Sequence, residues 1–137
     1  MENLIIEQIR PELTWRLRRE VLYPNEPLYA MEMEEDNYGL HFGAFYQDDL
    51  VGVISLFQQG TDYQFRKFAV SPSMQNQGVG TAILQHISDF AKSQGGTRLW
   101  CNARSTATNF YYKHGFQENG ETFTRKGINY LILEKDL

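Results

Sequence analysis

The chain has 137 residues, of which 42% are hydrophobic and 22% charged, and its net charge is −4. That length suits one domain, 1–137, able to bury about two-thirds of the surface of its unfolded chain. An acidic balance without a basic stripe argues against nucleic acid or an anionic membrane as partner, and no apolar run is long enough to span a bilayer. The single cysteine, Cys101, rules out an internal disulfide. It lies in the apolar run Leu99-Trp100-Cys101, reads as a small core residue, and fits the reducing cytoplasm.

In chain order, residues 4–9 read as a strand closed by Arg10-Pro11. Pro11 suits the first position of a helix, and Leu13, Leu17 and Val21 form an i, i+4, i+8 stripe. Arg16, Arg18 and Arg19 spread around that helix and read as a solvated face. Tyr23-Pro24-Asn25-Glu26-Pro27 ends it, and residues 27–33 suit a short second helix. Glu34-Glu35-Asp36-Asn37 reads as a solvated loop. Residues 38–46, 50–57 and 63–70 follow as strands on hairpin-length connections. The run 50–57 is apolar on both faces, hence central.

The stretch after Val70 organises the chain. A Ser71-Pro72 turn leads into a loop carrying Gly78 and Gly80, then into a segment of helical period. Val79, Ile83, Ile87 and Phe90 share one face, Gln85, Ser88, Asp89 and Lys92 take the other, and Gly95-Gly96 is the stop. The loop thus delivers residues 77–81 to a helix N-terminus, where backbone N–H groups lack partners and the dipole favours negative charge. Glycines there remove the Cβ atoms that would hold a phosphate away, making an anion cradle suited to a pyrophosphate. A tight turn alone would also use two glycines. The loop has neither the Gly-Lys-Ser/Thr of a Walker loop nor the three glycines of a dinucleotide fingerprint.

Residues 97–102 read as a further buried strand, 103–113 as a helix ended by His114-Gly115, and 116–124 and 128–133 as two closing strands around Arg125-Lys126-Gly127. A helical crossover makes the strands 63–70 and 97–102 parallel, while short turns make the others antiparallel. The fold class expected is α/β: a mixed, mostly antiparallel sheet of six to seven strands, flanked by helices.

The spacing Gln75-x-x-Gly78-x-Gly80 resembles the coenzyme A loop of the GNAT N-acetyltransferase superfamily. The order of elements is similar nearly end to end, and Phe110-Tyr111-Tyr112-Lys113-His114-Gly115-Phe116 resembles the superfamily's Phe-Tyr-x-x-x-Gly-Phe segment. The resemblance implies that the two parallel strands splay and admit a pantetheine arm. Backbone at Phe68, Ala69 and Val70 would pair with it, while Gln75, Asn76, Gln77, Gly78, Val79, Gly80 and Thr81 would hold the pyrophosphate. It implies acetyl-CoA as acyl donor, a small-molecule or peptide amine as acceptor, and Tyr111 as proton donor to the leaving thiolate. Tyr112 is the rival, because neighbours on a helix point about 100° apart and one alone can face the cleft.

Two departures from the family pattern stand out. Arg104 occupies the place of a pantetheine-binding Asn, with Asn102 and Asn109 nearby, so that contact is left open. Tyr130 stands where a small similar subgroup has His in Phe-x-x-x-Gly-Ile-x-His. Candidates for the general base are Asp62, Glu34, Glu35, His41 or a chain of waters. His41, His86 and His114 are too scattered for a metal site. The runner-up reading is a non-catalytic domain that senses acyl-CoA, against which Tyr111 counts. A homodimer is left open.

Overall fold

A computed structural model describes residues 3–137; Met1 and Glu2 of the expected domain lie outside them. Seven strands form one sheet: β1 (Leu4–Ile9), β2 (Leu40–Tyr46), β3 (Asp49–Gln59), β4 (Asp62–Val70), β5 (Arg98–Arg104), β6 (Gln117–Arg125) and β7 (Ile128–Asp136), in the order β1-β2-β3-β4-β5-β7-β6. Every neighbouring pair is antiparallel except β4–β5, which the crossover helix makes parallel. The mixed α/β sheet expected from the sequence is the one observed, with β3 inside it and apolar on both faces.

One face of the sheet is covered by the helix α2 (Val79–Ser93). Val79, Ile83, Leu84, Ile87 and Ala91 are buried there with Phe42, Ile54, Leu56, Phe65 and Leu99. Each large aliphatic group of this kind contributes about 1.5–3 kcal/mol relative to an exposed one. Gly52 of β3 permits the close approach, since a Cβ there would come within 2.6 Å of Ile83 Cδ1. Ser88, expected on the solvated face, is buried instead; its hydroxyl donates to the Leu84 carbonyl at 2.8 Å, so the polar group is satisfied within the helix.

The other face carries α1, the helical segment 11–22, which packs Leu17 against Val53 and Ala69. It is not a regular helix: a 3-10 turn (Pro11–Thr14) gives way to one α-turn (Trp15–Leu17) and a π-turn (Arg18–Leu22). The expected stripe breaks accordingly, with Leu13 40% exposed while Leu17 is fully buried. Single 3-10 turns at Leu28–Met31 and Glu34–Tyr38 replace the second helix and the solvated loop. The strand 97–102 extends to Arg104 because β7 keeps pairing with it as far as Tyr130. The helix expected over 103–113 is thereby reduced to α3 (Asn109–Lys113). No helix among the described residues is long and apolar enough to cross a membrane.

Candidate active site

The parallel pair β4–β5 is joined at one end only. Asp62, Tyr63 and Gln64 pair with Arg98, Leu99 and Trp100, after which the strands part. Beyond that fork β4 keeps β3 and β5 keeps β7, so the two edges facing the gap retain backbone N–H and C=O groups without a strand partner. Such an edge accepts an extended polar chain as a pseudo-strand. At the far end of β4 the gap opens into a cleft of about 500 Å³.

Phe68, Ala69 and Val70 form one side of this cleft, and Gln75, Asn76, Gly78, Gly80 and Thr81 form its loop end. Gly78 caps α2 in the left-handed region, at φ +86°, and no side chain caps the helix. The first-turn N–H groups therefore face the cleft without a side-chain acceptor. A Cβ on Gly80 would stand 3.4 Å from the Phe68 ring and 3.5 Å from that of Phe110, filling the wall where backbone is now accessible. Gln75 and Gln77 turn their amides back onto the Val70 and Ser73 carbonyls, bracing the loop at 3.0 and 3.1 Å. Of the expected contacts, Gln77 and Val79 do not line the cleft, and the Val79 side chain belongs to the core.

The remaining wall was not assigned from sequence. Val21 from the π-turn of α1 contributes to it, as do Phe110, Lys113 and His114 of α3 and its cap. His114 Nε2 lies 3.2 Å from Thr81 Oγ1, tying the end of α3 to the start of α2. The Phe-Tyr-Tyr-Lys-His-Gly-Phe run marked this segment, but a short helix crossing back to the cleft leaves no local signal.

Tyr111 sits at the fork itself. Its ring packs against Phe65, the first residue of β4 beyond the paired end, with centroids 5.9 Å apart. Burial pushes its phenol well above the ordinary value, and the nearby Cys101, first beyond the paired end of β5, raises it further. Burial likewise pushes the Cys101 thiol up to about 12, leaving it an inert core group. Gly115, at φ +87°, ends α3 so that the Phe116 N–H returns to the Tyr111 carbonyl at 3.1 Å. Phe116 then packs on Tyr111 at 5.8 Å and fixes its ring. The Tyr111 hydroxyl has no protein partner among the described residues. Tyr112 points away and is 42% exposed.

The opposite face of the sheet holds a different kind of polar centre. Arg18 is fully buried, and its Nη1 and Nη2 each donate to one oxygen of Asp36 at 2.9 Å. Nη1 also reaches the Met31 carbonyl and Nη2 the Ser55 hydroxyl, both at 2.9 Å. Ser55 Oγ is 2.7 Å from His41 Nδ1, and His41 Nε2 is 2.8 Å from the Asp36 carbonyl. A carbonyl can only accept, so Nε2 donates; in the neutral ring Nδ1 accepts from Ser55. Burial alone would raise the Asp36 carboxyl, but Arg18 and the Met33 N–H outweigh it and hold it below its ordinary range. Neither Arg18 nor Asp36 is solvated, contrary to the sequence reading. Desolvating both charges is tolerated because the pairing is bidentate and the spare donors are used, Arg18 Nε excepted.

This geometry bears on the candidates for a base. His41 is 2% exposed and has both ring nitrogens engaged. Asp62 lies at the closed end of the fork, 3.5 Å from Arg98. Glu34 and Glu35 are exposed, and Glu35 stands 3.6 Å from Arg66. Asn102, Arg104 and Asn109 are exposed, and none lines the cleft.

The arrangement has close parallels. The chain is 28% identical, over 98% of its own length and 97% of its relative's, to the uncharacterised N-acetyltransferase YitI of Bacillus subtilis. Its fold matches a GNAT acetyltransferase from Elizabethkingia anophelis with acetyl-CoA bound, at a TM-score of 0.80 and 19% identity with both chains covered completely. It also matches a Bacillus subtilis acetyltransferase in complex with CoA, at a TM-score of 0.77 and 21% identity over 98% of this chain and 99% of that one. The model of the acetyltransferase (GNAT) domain matches residues 11–137, and the chain therefore belongs to the GNAT acetyltransferase family.

Proposed function

We propose that the protein is an acetyl-CoA-dependent N-acetyltransferase in which an amine attacks directly while both substrates are bound. Acetyl-CoA supplies the acetyl group as a thioester. The residues present fit it: the uncapped N–H groups of residues 78–81 suit a pyrophosphate, and the free β4 edge at Phe68, Ala69 and Val70 suits the amides of the pantetheine arm. An acidic protein can hold this anion because the attraction comes from local backbone dipoles, not net charge.

The single observation that carries the reading is Tyr111 at the fork where the two strands separate, a half-buried phenol without a partner among the described residues. A phenol is protonated at neutral pH and, placed at the fork, can give its proton to a departing thiolate. Water and backbone carbonyls relay the proton from the incoming amine; this choice is supported by His41, whose ring nitrogens are both engaged, and by Asp62, which lies beside Arg98 at the closed end of the fork.

The test is thiol release from acetyl-CoA across a panel of amines, with acetyl-CoA affinity measured separately by calorimetry. Amine-dependent release together with binding is expected. Tight binding with no release for any amine would instead support a sensing domain.

A further inference from the structure

The structure assigns Lys67, with Tyr23, as a recognition point for an anionic group on the acceptor, and so points to an amine that carries a carboxylate, an amino acid in the chemical sense. The assignment rests on the function proposed above. Val53 pairs with Ala69 and Ser55 with Arg66, so β4 holds one residue more than β3 over this stretch. Lys67 falls in that bulge, at φ +55°. Bulges re-aim side chains out of the strand's alternation. Lys67 turns towards the end of α1, where Nζ donates to Tyr23 Oη at 2.5 Å and lies 4.4 Å from the ring centroid.

The charge there is unbalanced. Among the described residues no carboxylate lies within 4.0 Å of Lys67, whereas its neighbour Arg66 is paired with Glu35 at 3.6 Å. Its partner is a neutral phenol and an aromatic face, which hold the ammonium in place without neutralising it. The position is also the right one. Neither side chain lines the cleft, but both stand at its border: Lys67 is next to Phe68 of one wall, and Tyr23 is two residues after Val21 of another. Phe65, Tyr111 and Phe116 close the fork from the α2 side. That packing leaves the face carrying Lys67 and Tyr23 as the approach open to an acceptor in this proposal. A polycationic amine would meet like charge there, whereas a carboxylate beside the reacting amine finds an ammonium with donors to spare.

The experiment compares kcat/KM for free amino acids and for their carboxamides, in the wild type and in Lys67→Met and Lys67→Arg. In the wild type the free acids should be preferred by about 10-fold or more, the range of a charge-assisted hydrogen bond. Lys67→Met should bring acid and amide within about 2-fold of each other while the KM for acetyl-CoA is unchanged, and Lys67→Arg should keep the preference. Carboxamides used as well as acids, a preference that survives in Lys67→Met, or no turnover of either series by protein that binds acetyl-CoA would each overturn the assignment. Calorimetry keeps the two readings apart, because loss of acetyl-CoA binding itself would remove the function on which the assignment rests.

Discussion

Two polar centres lie on opposite faces of one sheet, and they differ in how far their hydrogen bonds are used up. Around Arg18, nearly every donor and acceptor has a partner within the protein: both guanidinium termini, both Asp36 oxygens, Ser55 and both nitrogens of His41. Around Tyr111, the phenol, the first turn of α2 and the edges of the fork lack partners among the described residues. The first centre joins α1, the turns at Leu28–Met31 and Glu34–Tyr38, β2 and β3 into one unit. The second is ordered by aromatic packing and by the Gly115 cap, and its polar groups are left for a ligand. Saturated polar groups hold architecture, and unsaturated ones in an otherwise well-packed protein mark where chemistry is done.

The sharpest way to break this comparison is through the two tyrosine positions. Tyr111→Phe should leave acetyl-CoA affinity intact and lower turnover by about 10²–10⁴, the range for loss of a general acid, in steady-state acetylation assays. Tyr112→Phe should be nearly silent, and reversed effects would move the proton donor to Tyr112.

The Arg18 centre should answer in stability. Removing one partner, as in Asp36→Asn or Arg18→Met, should cost about 3–5 kcal/mol in denaturant unfolding, because the other charge is left buried and alone. The double variant Arg18→Met/Asp36→Leu should recover much of that loss, since two apolar groups carry no unpaired charge.

A smaller effect is the acid sensitivity of the same pair. The folded-state pKa of Asp36 is depressed, so its contribution is complete above the ordinary carboxylate value and disappears as pH falls through the folded one. Unfolding free energies measured from about pH 6 down to about pH 2 should fall more steeply for the wild type than for the double variant. Parallel curves would show that the pair is not linked to acid stability.

The smallest expected signal is in the pH–rate profile. Burial keeps the Tyr111 proton in place beyond the ordinary phenol value near 10, so kcat/KM should climb from neutrality with no descending limb below about that pH. A fall centred lower, absent in Tyr111→Phe, would show that the phenol titrates early.

The same contrast explains what could be read from the chain. The cleft was legible because its signals are local: two glycines at a helix start, an apolar strand before a proline turn, and a Gly-Phe stop after paired tyrosines. The Arg18 centre was not. Arg18 and Asp36 are 18 residues apart, and each stands among charged neighbours, Arg16, Arg19 and Glu20 around one, Glu34 and Glu35 around the other. No periodicity separates the single buried charge in each group from the solvated ones. The π-turn that presents Arg18 to the sheet has no sequence signature either. The length of α3 is not legible for a related reason: pairing of β5 with β7 is a long-range choice that overrides the local helical pattern. Lys67 carries no sequence signal, because a bulge is legible only once both strands are in register.

Both the chemistry at Tyr111 and the choice of donor require acetyl-CoA to sit in the cradle at the start of α2, and acetyl-CoA titration followed by thermal unfolding tests this most directly. At about 100 times the dissociation constant, the ligand should add about 2.7 kcal/mol to the stability of the wild type. Gly80→Glu, whose side chain would fill the wall between Phe68 and Phe110 with a like charge, should unfold near the unliganded wild-type midpoint and show no rise with ligand. A folded Gly80→Glu protein with the full wild-type rise would contradict the account.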